Sequence, residues 1–308
     1  MRILVYGGFG WIGNLMIEIL KSRGHEVIIG RSRVNNYSCL SKEIRTINPD
    51  RVFSSTGRTH GVVQNSDGTK KEYTTIDYLE LPQKLAENIQ DNLRGPINLA
   101  MICKELKIHL TYMGTGCIFS YDEEHKMPNK DDMSDLVKGF MEEDHPNFFG
   151  SGYSTVKGQT DRLMHNYDDS VLNCRIRMPI TNKNNRRNFI TKITTYEKIC
   201  SIPNSMTVLN NILPIMAHML ETGETGTYNM TNPGYITHNA ILDMYKDIVD
   251  KKFTYINFTL DEQAKILLSG RSNNYLNTDK LEYYCEKHNL DLMNIKDAVK
   301  NSLNNWQN

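Results

Sequence analysis

The sequence predicts an α/β fold in which a doubly wound parallel sheet is followed by a smaller C-terminal lobe. Short apolar segments alternate with helical patterns up to Pro179, a glycine-rich turn follows the first apolar segment, and the alternation stops after that proline. Strands that alternate with helices form parallel sheets covered on both faces. We therefore expect a domain over residues 1–180 and a mainly substrate-binding lobe over 181–308, from which some segments return to the sheet.

The elements follow from apolar periodicity and from glycine, proline and asparagine breaks. In chain order they are strand 2–6, helix 11–21, strand 27–29, helix 40–47, strand 51–55, helix 91–106, strand 108–113, a helix from residue 152 and strand 171–178. A polar and basic segment over 181–192 follows the last strand. The lobe mixes short strands and helices and ends in an amphipathic helix from about residue 294.

Composition excludes several classes of protein. The 308 residues include 36 Lys+Arg and 36 Asp+Glu, and this zero net charge argues against a nucleic-acid-binding protein. No segment approaches the ~18 apolar residues of a membrane span. The 6 cysteines show no C-x-x-C spacing and the 9 histidines show no metal-ligand spacing, so we expect no metal. Scattered cysteines in a chain of this length indicate a reducing, cytoplasmic location.

The glycine turn after the first strand indicates nucleotide binding. Gly7, Gly10 and Gly13 fit G-x-x-G-x-x-G, with Trp11 and Ile12 between the last two glycines. The first glycine permits a tight turn, the second lets backbone amides approach a pyrophosphate, and the third lets helix and strand pack closely. The helix N-terminus then favours the phosphate charge. This strand–turn–helix context is typical of a Rossmann-type fold.

The next strand ends without the acidic residue that usually holds a ribose 2′-hydroxyl. Arg31 and Arg33 lie near its place, and arginine forks suit a 2′-phosphate, so we expect NADPH. If both arginines are solvated loop residues, NADH stays possible. The turn Ser55, Thr56 and Gly57 follows the strand expected to pass the adenosine, and Gly57 would permit close approach of the cofactor.

Tyr153 and Lys157 form a Y-x-x-x-K pair on one helix face. An ammonium beside a phenol would lower the phenol's pKa from about 10, making Tyr153 an acid or base for a carbonyl oxygen. Thr115 follows strand 108–113 at the carboxyl edge of the sheet, where it could reach the same oxygen. The alternatives are an exposed helix pair and a turn-capping threonine.

With these motifs the chain resembles the extended short-chain dehydrogenase/reductases that act on nucleotide sugars. Their 4,6-dehydratases carry Thr-Asp-Glu where this chain has Thr115-Gly116-Cys117, so dehydration lacks its acid and base. Six segments resemble more closely the bifunctional UDP-4-keto-6-deoxy-D-glucose 3,5-epimerase/4-reductases of UDP-L-rhamnose synthesis in plants and giant viruses. These segments are 115–119, 146–148, 175–180, 187–192, 203–208 and 271–274.

The resemblance implies that Cys117 is the base and Lys192 the acid of epimerisation. A thiolate is a competent base when a nearby cation stabilises it. Thr115 and Tyr153 would stabilise the enolate oxygen. Because reduction destroys the ketone that acidifies C3 and C5, both inversions must precede hydride transfer. The alternatives are a small buried cysteine and a solvated lysine.

Further site residues are expected by the same resemblance. Asn92 would support the cofactor ribose, Arg58 would reach the sugar or a phosphate, and Asn188 and Arg271 would bind the UDP moiety. We expect His60 to be structural or solvent-facing. The 4-keto substrate would come from a separate 4,6-dehydratase, because the chain begins at its own glycine turn. Relatives also imply a homodimer formed through a four-helix bundle.

Three other functions stay open at this point. The first is a 4-reductase alone, as in dTDP-4-dehydrorhamnose reductases, and the second is a reaction of the GDP-fucose synthase type. The third is a non-catalytic regulator that senses NADPH. Retention of Thr115, Tyr153 and Lys157 argues against the regulator. Cys117 and Lys192 separate the bifunctional enzyme from the reductase alone, because changing either should leave reduction of a pre-epimerised ketone intact in the bifunctional enzyme.

Overall fold

The computed structural model describes residues 1–64, 67–129 and 137–307. The strands are β1 (Arg2–Tyr6), β2 (Glu26–Ile29), β3 (Arg51–Ser54), β4 (Gly61–Gln64), β5 (Lys70–Tyr73), β6 (His109–Thr115), β7 (Val171–Ile176), β8 (Lys198–Ile199), β9 (Gly226–Asn229) and β10 (Ile256–Asn257). The α-helices are α1 (Trp11–Ser22), α2 (Tyr37–Ile47), α3 (Lys84–Ile89), α4 (Gly95–Leu106), α5 (Gly152–Met164), α6 (Phe189–Thr195), α7 (Leu209–Thr222), α8 (His238–Ile248), α9 (Leu260–Ala264), α10 (Asp279–Lys287) and α11 (Ile295–Asn304).

Six strands form a parallel sheet in the order β2-β1-β3-β6-β7-β9. The sheet is covered on both faces, and every residue of β6 and β7 is buried. The α/β prediction is therefore confirmed. Chain order reverses between β1 and β3, so the carboxyl ends of these strands open a crevice at the sheet edge, where ligands of such folds bind.

Two apolar cores lie on the two faces of the sheet. On one face α1 and α7 pack together, joined by α10. On the other face α2 and α4 pack on β1, β3 and β6, and Met164 at the end of α5 closes this core. Helix α7, strand β9 and helix α10 thus belong to the main sheet although they lie in the C-terminal part of the sequence.

The smaller lobe has its own core. Apolar residues of α6, α8 and α11 pack together with the segment from Ile199 to Val208. Within the lobe, β8 and β10 form a short parallel pair. None of the helices described here is long and apolar enough to cross a membrane.

The region before α4 differs from the prediction. A helical path starts at Lys84, passes through a π-helical turn over Gln90–Arg94 and continues into α4. Pro96 lies in the first turn of α4, where a proline without an N–H is tolerated. The antiparallel hairpin β4–β5 was not predicted either.

Candidate active site

A cavity of about 470 Å³ lies at the carboxyl edge of the sheet, between the sheet and the smaller lobe. Its wall brings together most of the residues predicted from sequence, although they are distant along the chain. The predicted residues that line it are Gly10, Trp11, Ile12, Gly13, Ser55, Thr56, Gly57, Asn92, Thr115, Cys117, Tyr153, Lys157, Lys192 and Arg271. Gly7, Arg31, Arg33, Arg58 and Asn188 are not among its lining residues.

The glycine turn forms one end of the cavity. Gly7 has φ +83° and supports the turn from behind, where its carbonyl accepts the Gly10 N–H at 2.9 Å. A Cβ on Gly13 would lie 2.1 Å from the Gly7 carbonyl oxygen, so this position admits only glycine. No side chain caps the N-terminus of α1. The first turn of this helix therefore presents amides to an anion, as a dinucleotide pyrophosphate requires.

Asn92 lines the cavity and also holds the turn at Gly57 and Arg58 through its side chain. Its side-chain amide donates to the Arg58 carbonyl at 2.8 Å, and its Oδ1 accepts the Arg58 N–H at 2.8 Å. A Cβ on Gly57 would lie 3.0 Å from the same Oδ1. The buried Asn92 amide thus holds the backbone of Gly57 and Arg58 close to the cavity. A backbone surface of this kind suits contact with the ribose of a dinucleotide.

Arg31 and Arg33 are exposed beyond this end of the cavity. Sequence reasoning missed Glu43 on α2, whose carboxylate accepts the Arg31 N–H at 2.8 Å and the Ser32 N–H at 3.0 Å. Burial raises the pKa of Glu43, but these hydrogen bonds and one from Tyr6 lower it overall. The helical spacing from Leu40 places Glu43 on the buried face of α2, which is the signal that could have found it.

The Tyr153–Lys157 prediction is wrong in one respect. The Lys157 ammonium donates to the Tyr112 hydroxyl, not to Tyr153. Burial raises the pKa of Tyr153, the Cys117 charge adds to that, and a hydrogen bond with Thr115 only partly opposes it. The phenol therefore stays protonated and can act as a proton donor. Tyr112, fully buried on β6, was not predicted at all.

Lys157 is a buried ammonium beside Tyr112. Burial lowers the pKa of Lys157 to about 8, against the opposing charges of Asp161 and Cys117. Cys117 is partly exposed to the cavity, and its N–H donates to the Thr115 hydroxyl at 3.1 Å. Thr115 thus touches both Cys117 and Tyr153, which supports its predicted place beside the reacting carbonyl.

The other end of the cavity is strongly cationic. Over the whole cavity, the Lys, Arg, Asp and Glu lining residues among those described are six cations and one carboxylate, namely Lys157, Arg186, Arg187, Lys192, Lys198 and Arg271 against Glu72, and all of these but Lys157 lie away from the glycine turn. Lys192 lies on α6, where burial and then the charges of Arg187 and Arg271 lower its pKa. Such a wall suits a ligand with several negative charges, for example a nucleoside diphosphate.

Two arginines of this wall are held by specific partners. Arg271 forms an ion pair with Asp77 at 2.8 Å, and its guanidinium also contacts Ser269. Arg187 donates to His60 Nε2 at 2.8 Å, and burial followed by the charge of Arg187 lowers the pKa of His60. His60 therefore lies in the cavity wall, where it holds Arg187, and the prediction that it is structural or solvent-facing rather than catalytic stays a prediction.

Asn188 is structural, not a ligand of UDP. It is fully buried as the N-cap of α6, where its Oδ1 accepts the Ile190 N–H at 3.2 Å. Its amide donates to the carbonyls of Thr181 and Lys183, both at 2.8 Å. All its hydrogen-bonding capacity is therefore used inside the lobe, and the prediction for Asn188 is wrong.

Arg58 also points away from a ligand. Its guanidinium forms ion pairs with Asp91 at 2.8 Å and Glu87 at 3.2 Å. These two carboxylates satisfy it on the helical side of the turn, so the prediction that Arg58 reaches the substrate is wrong. Among the described residues there is no cluster of three or more His, Cys, Asp or Glu that could hold a metal ion.

Comparisons with known proteins agree with this geometry. The NAD dependent epimerase/dehydratase family matches residues 3–182. A bifunctional dTDP-4-dehydrorhamnose 3,5-epimerase/dTDP-4-dehydrorhamnose reductase of Arabidopsis thaliana is 40% identical over 299 residues, which cover 97% of this chain and 91% of that protein. A crystal structure of a UDP-rhamnose synthase from Acanthamoeba polyphaga mimivirus superposes with a TM-score of 0.89 at 48% identity, covering 99% of both chains.

A longer plant relative carries more activities in its name. It is a trifunctional UDP-glucose 4,6-dehydratase/UDP-4-keto-6-deoxy-D-glucose 3,5-epimerase/UDP-4-keto-L-rhamnose-reductase of Arabidopsis thaliana, 39% identical over 300 residues. The match covers 97% of this chain but 41% of that protein. Together with the family match, these relatives support the resemblance seen in the sequence.

Proposed function

We propose that this chain, which belongs to the NAD dependent epimerase/dehydratase family, inverts C3 and C5 of UDP-4-keto-6-deoxy-D-glucose and then reduces C4 to give UDP-L-rhamnose. The observation that carries the proposal is the convergence of Cys117, Lys192 and Tyr153 on one cavity that also holds the glycine turn. A reductase alone has no use for the first two of these residues.

Epimerisation is proposed to use Cys117 and Lys192. The 4-ketone acidifies C3 and C5 because either carbanion delocalises onto the carbonyl oxygen. The Cys117 thiolate takes the proton, the C–H electron pair enters the enolate, and the Lys192 ammonium returns a proton to the opposite face. Thr115 and Tyr153 donate hydrogen bonds to the enolate oxygen. Burial lowers the pKa of Lys192, and the ammonium is therefore a stronger acid for returning this proton.

Reduction of C4 is proposed to follow in the same cavity. A bound nicotinamide cofactor would supply the hydride, and the glycine turn, Ser55, Asn92 and Lys157 would hold it. Tyr153 gives its phenolic proton to O4 as the alkoxide forms, which suits a phenol that burial keeps protonated.

We propose NADPH as the preferred form of the cofactor. Arg31 and Arg33 are exposed where the 2′-phosphate would lie, although Glu43 nearby places a carboxylate under the same loop. Replacing both arginines by alanine should lower kcat/KM for NADPH about tenfold, the loss of about one charge-assisted contact, and leave kcat/KM for NADH within twofold. An equal loss with both cofactors would contradict the preference for NADPH.

The substrate's diphosphate is proposed to lie against Arg271 and Arg187, in the cationic part of the wall. The 4-keto sugar would come from a separate 4,6-dehydratase.

A homodimer is proposed through α4 and α5, on which Met101 and Leu163 are each at least 40% exposed. We place the enzyme in the cytoplasm, because all six cysteines are thiols and a catalytic Cys117 must stay reduced.

The test is to incubate the purified protein with UDP-4-keto-6-deoxy-D-glucose and NADPH, follow absorbance of the cofactor, and identify the sugar by NMR. UDP-L-rhamnose formed by this protein alone would establish both activities. Cofactor oxidation that yields an unepimerised 6-deoxy sugar would leave a reductase and remove the role of Cys117. Cofactor binding without turnover would exclude this substrate.

A further inference from the structure

Arg177 is a buried cation whose charge is not compensated. It follows β7, is 1% exposed, and does not line the cavity. Its guanidinium donates to the carbonyls of Gly116, Ser205 and Ser272, to the Ser272 hydroxyl, and to Asn204 Oδ1. Every one of these acceptors is neutral. Within the described part of the chain, no Asp or Glu forms an ion pair with Arg177.

A second buried arginine, two residues earlier on β7, shows the ordinary arrangement. Arg175 is 0% exposed and pairs with Asp161 through two contacts of 2.9 and 2.7 Å. Buried charges are normally paired in this way, because an isolated ion loses its hydration without compensation. The exception at Arg177 therefore requires an explanation that the fold alone does not provide.

The uncompensated charge lies beneath the loop that carries Cys117. The Gly116 carbonyl accepts from Arg177 at 2.9 Å and from Asn274 at 3.0 Å, and Asn274 also holds the Phe119 carbonyl at 2.9 Å. Carbonyls on both sides of Cys117 are thus fixed from below. This leaves the cysteine side chain as the part of the loop that faces the cavity.

Few ionisable groups surround this pair. Burial lowers the pKa of Arg177, and the negative charges of Cys117 and Tyr121 oppose that shift. His238 faces Arg177 from α8, and burial together with the arginine's charge keeps its pKa at about 4, so it adds no charge at neutral pH. Tyr153 and Lys157 face Cys117 from α5. Arg177 is therefore a positive charge without a carboxylate partner, and Cys117 is one of the two groups whose negative charge acts on it.

We propose that Arg177 is a positioning residue for the epimerisation step: it fixes the Cys117 loop and supplies the positive charge that stabilises the Cys117 thiolate. The proposal rests on the proposed function, in which Cys117 takes the C3 and C5 protons. The effect is electrostatic and acts over a buried path, where charges are poorly screened. It also accounts for the absence of a carboxylate partner at this arginine, since a carboxylate would cancel the charge that the thiolate needs.

The decisive variant is Asn204→Asp. Asn204 Oδ1 already accepts from Arg177 at 2.5 Å, so the substitution gives Arg177 a carboxylate partner of nearly the same size, and it removes the amide's hydrogen bonds to the Ile202 carbonyl and Asn273 Oδ1. The assay is deuterium incorporation at C3 and C5 of UDP-4-keto-6-deoxy-D-glucose in D₂O without cofactor. We expect exchange at pH 7 to fall about tenfold and its pH profile to move about one unit higher, as for a one-unit shift of the base.

The controls separate charge from damage to the fold. Asn210→Asp makes the same change at an exposed position of α7 and should exchange at the wild-type rate. Reduction of UDP-4-keto-L-rhamnose with NADPH needs no thiolate, and in Asn204→Asp it should persist within about twofold. If Asn204→Asp exchanges like wild type with an unmoved pH profile, the proposal is wrong. If wild type itself shows no exchange, the proposed function fails instead.

A second pair of variants tests the arginine directly. Arg177→Lys keeps the charge and Arg177→Gln removes it, while both lose part of the hydrogen bonding. In a Cys39→Ser background, alkylation of Cys117 by iodoacetamide at pH 7, read by peptide mass spectrometry, should stay within about threefold for Arg177→Lys and fall about tenfold for Arg177→Gln. Equal losses in the two variants would mean that the loop geometry alone matters, and would overturn the electrostatic role.

Discussion

The two ends of the cavity recognise their ligands by different means. The glycine-turn end is made of backbone packed so closely that a single added carbon collides, as at Gly13. The other end is made of side-chain cations, with Lys192, Arg187 and Arg271 in the wall and Arg177 behind it. In the proposed function, shape would select the cofactor and charge would control the sugar chemistry. Substitutions at the first end should act all-or-none, and those at the second should act in steps.

The largest effect is expected for Gly13→Ala. The new Cβ would lie 2.1 Å from the Gly7 carbonyl oxygen, so strand and helix must separate and the pyrophosphate site is lost. We expect cofactor binding to disappear in calorimetry and stability to fall by about 1–3 kcal/mol. Gly24→Ala is the control: its φ of +81° gives strain of about 1–2 kcal/mol, but no atom lies within 4 Å. Cofactor binding that survives in Gly13→Ala would break the contrast.

The next effect separates the two reactions. Cys117→Ala should lower deuterium exchange at C3 and C5 by about 10²–10⁴, the usual contribution of a general base. Reduction of UDP-4-keto-L-rhamnose should persist, because Tyr153 and not Cys117 gives the proton to O4. Lys192→Met should behave in the same way, and both rates can be read on one preparation. Loss of both reactions in parallel would mean that the cationic end also serves reduction.

The sequence predicts site residues well where they lie within a short motif, and poorly where their contacts join residues far apart in the chain. Gly13 and the Tyr153–Lys157 pair lie within short motifs, and spacing alone placed them on the cavity wall. Glu43 was missed because its partners are the backbone N–H groups of Arg31 and Ser32, which lie on the preceding loop and carry no mark in the sequence. Asn188 was misassigned because an amide in a segment of the resemblance can bind a nucleotide, while its actual partners are carbonyls that a sequence cannot show.

Arg177 illustrates the limit most clearly. Its contacts with Gly116 and Ser272 span 61 and 95 residues. The sequence resemblance covers residues 175–180, but no local rule distinguishes Arg177 from Arg175. Only the folded structure shows that one has a carboxylate partner and the other lacks one.

A graded effect is expected from pH. Burial lowers the pKa of Lys157 to about 8, so the ammonium is present below that pH and is lost as pH rises through it. The rate of reduction should therefore fall about tenfold per unit above pH 8, because the positive charge on Lys157, which is proposed to hold the cofactor, disappears. Lys157→Arg, which keeps its charge, should move this limb upward if the variant folds. A limb unchanged in Lys157→Arg would assign it to another group.

The smallest effects should separate binding from folding within the lobe. Arg271→Lys keeps the charge but loses the planar fork that meets Asp77 at 2.8 Å, so we expect KM for the UDP sugar to rise about tenfold with kcat nearly constant.

Asn188→Ala removes the cap of α6 and should lower the free energy of unfolding by about 1–2 kcal/mol in urea. Its KM should stay within twofold, because the side chain is buried away from the cavity. A tenfold rise in KM with unchanged stability for Asn188→Ala would instead show that this residue contacts the ligand. The distinction between ligand-binding side chains of the cavity wall and structural side chains of the core behind it would then fail.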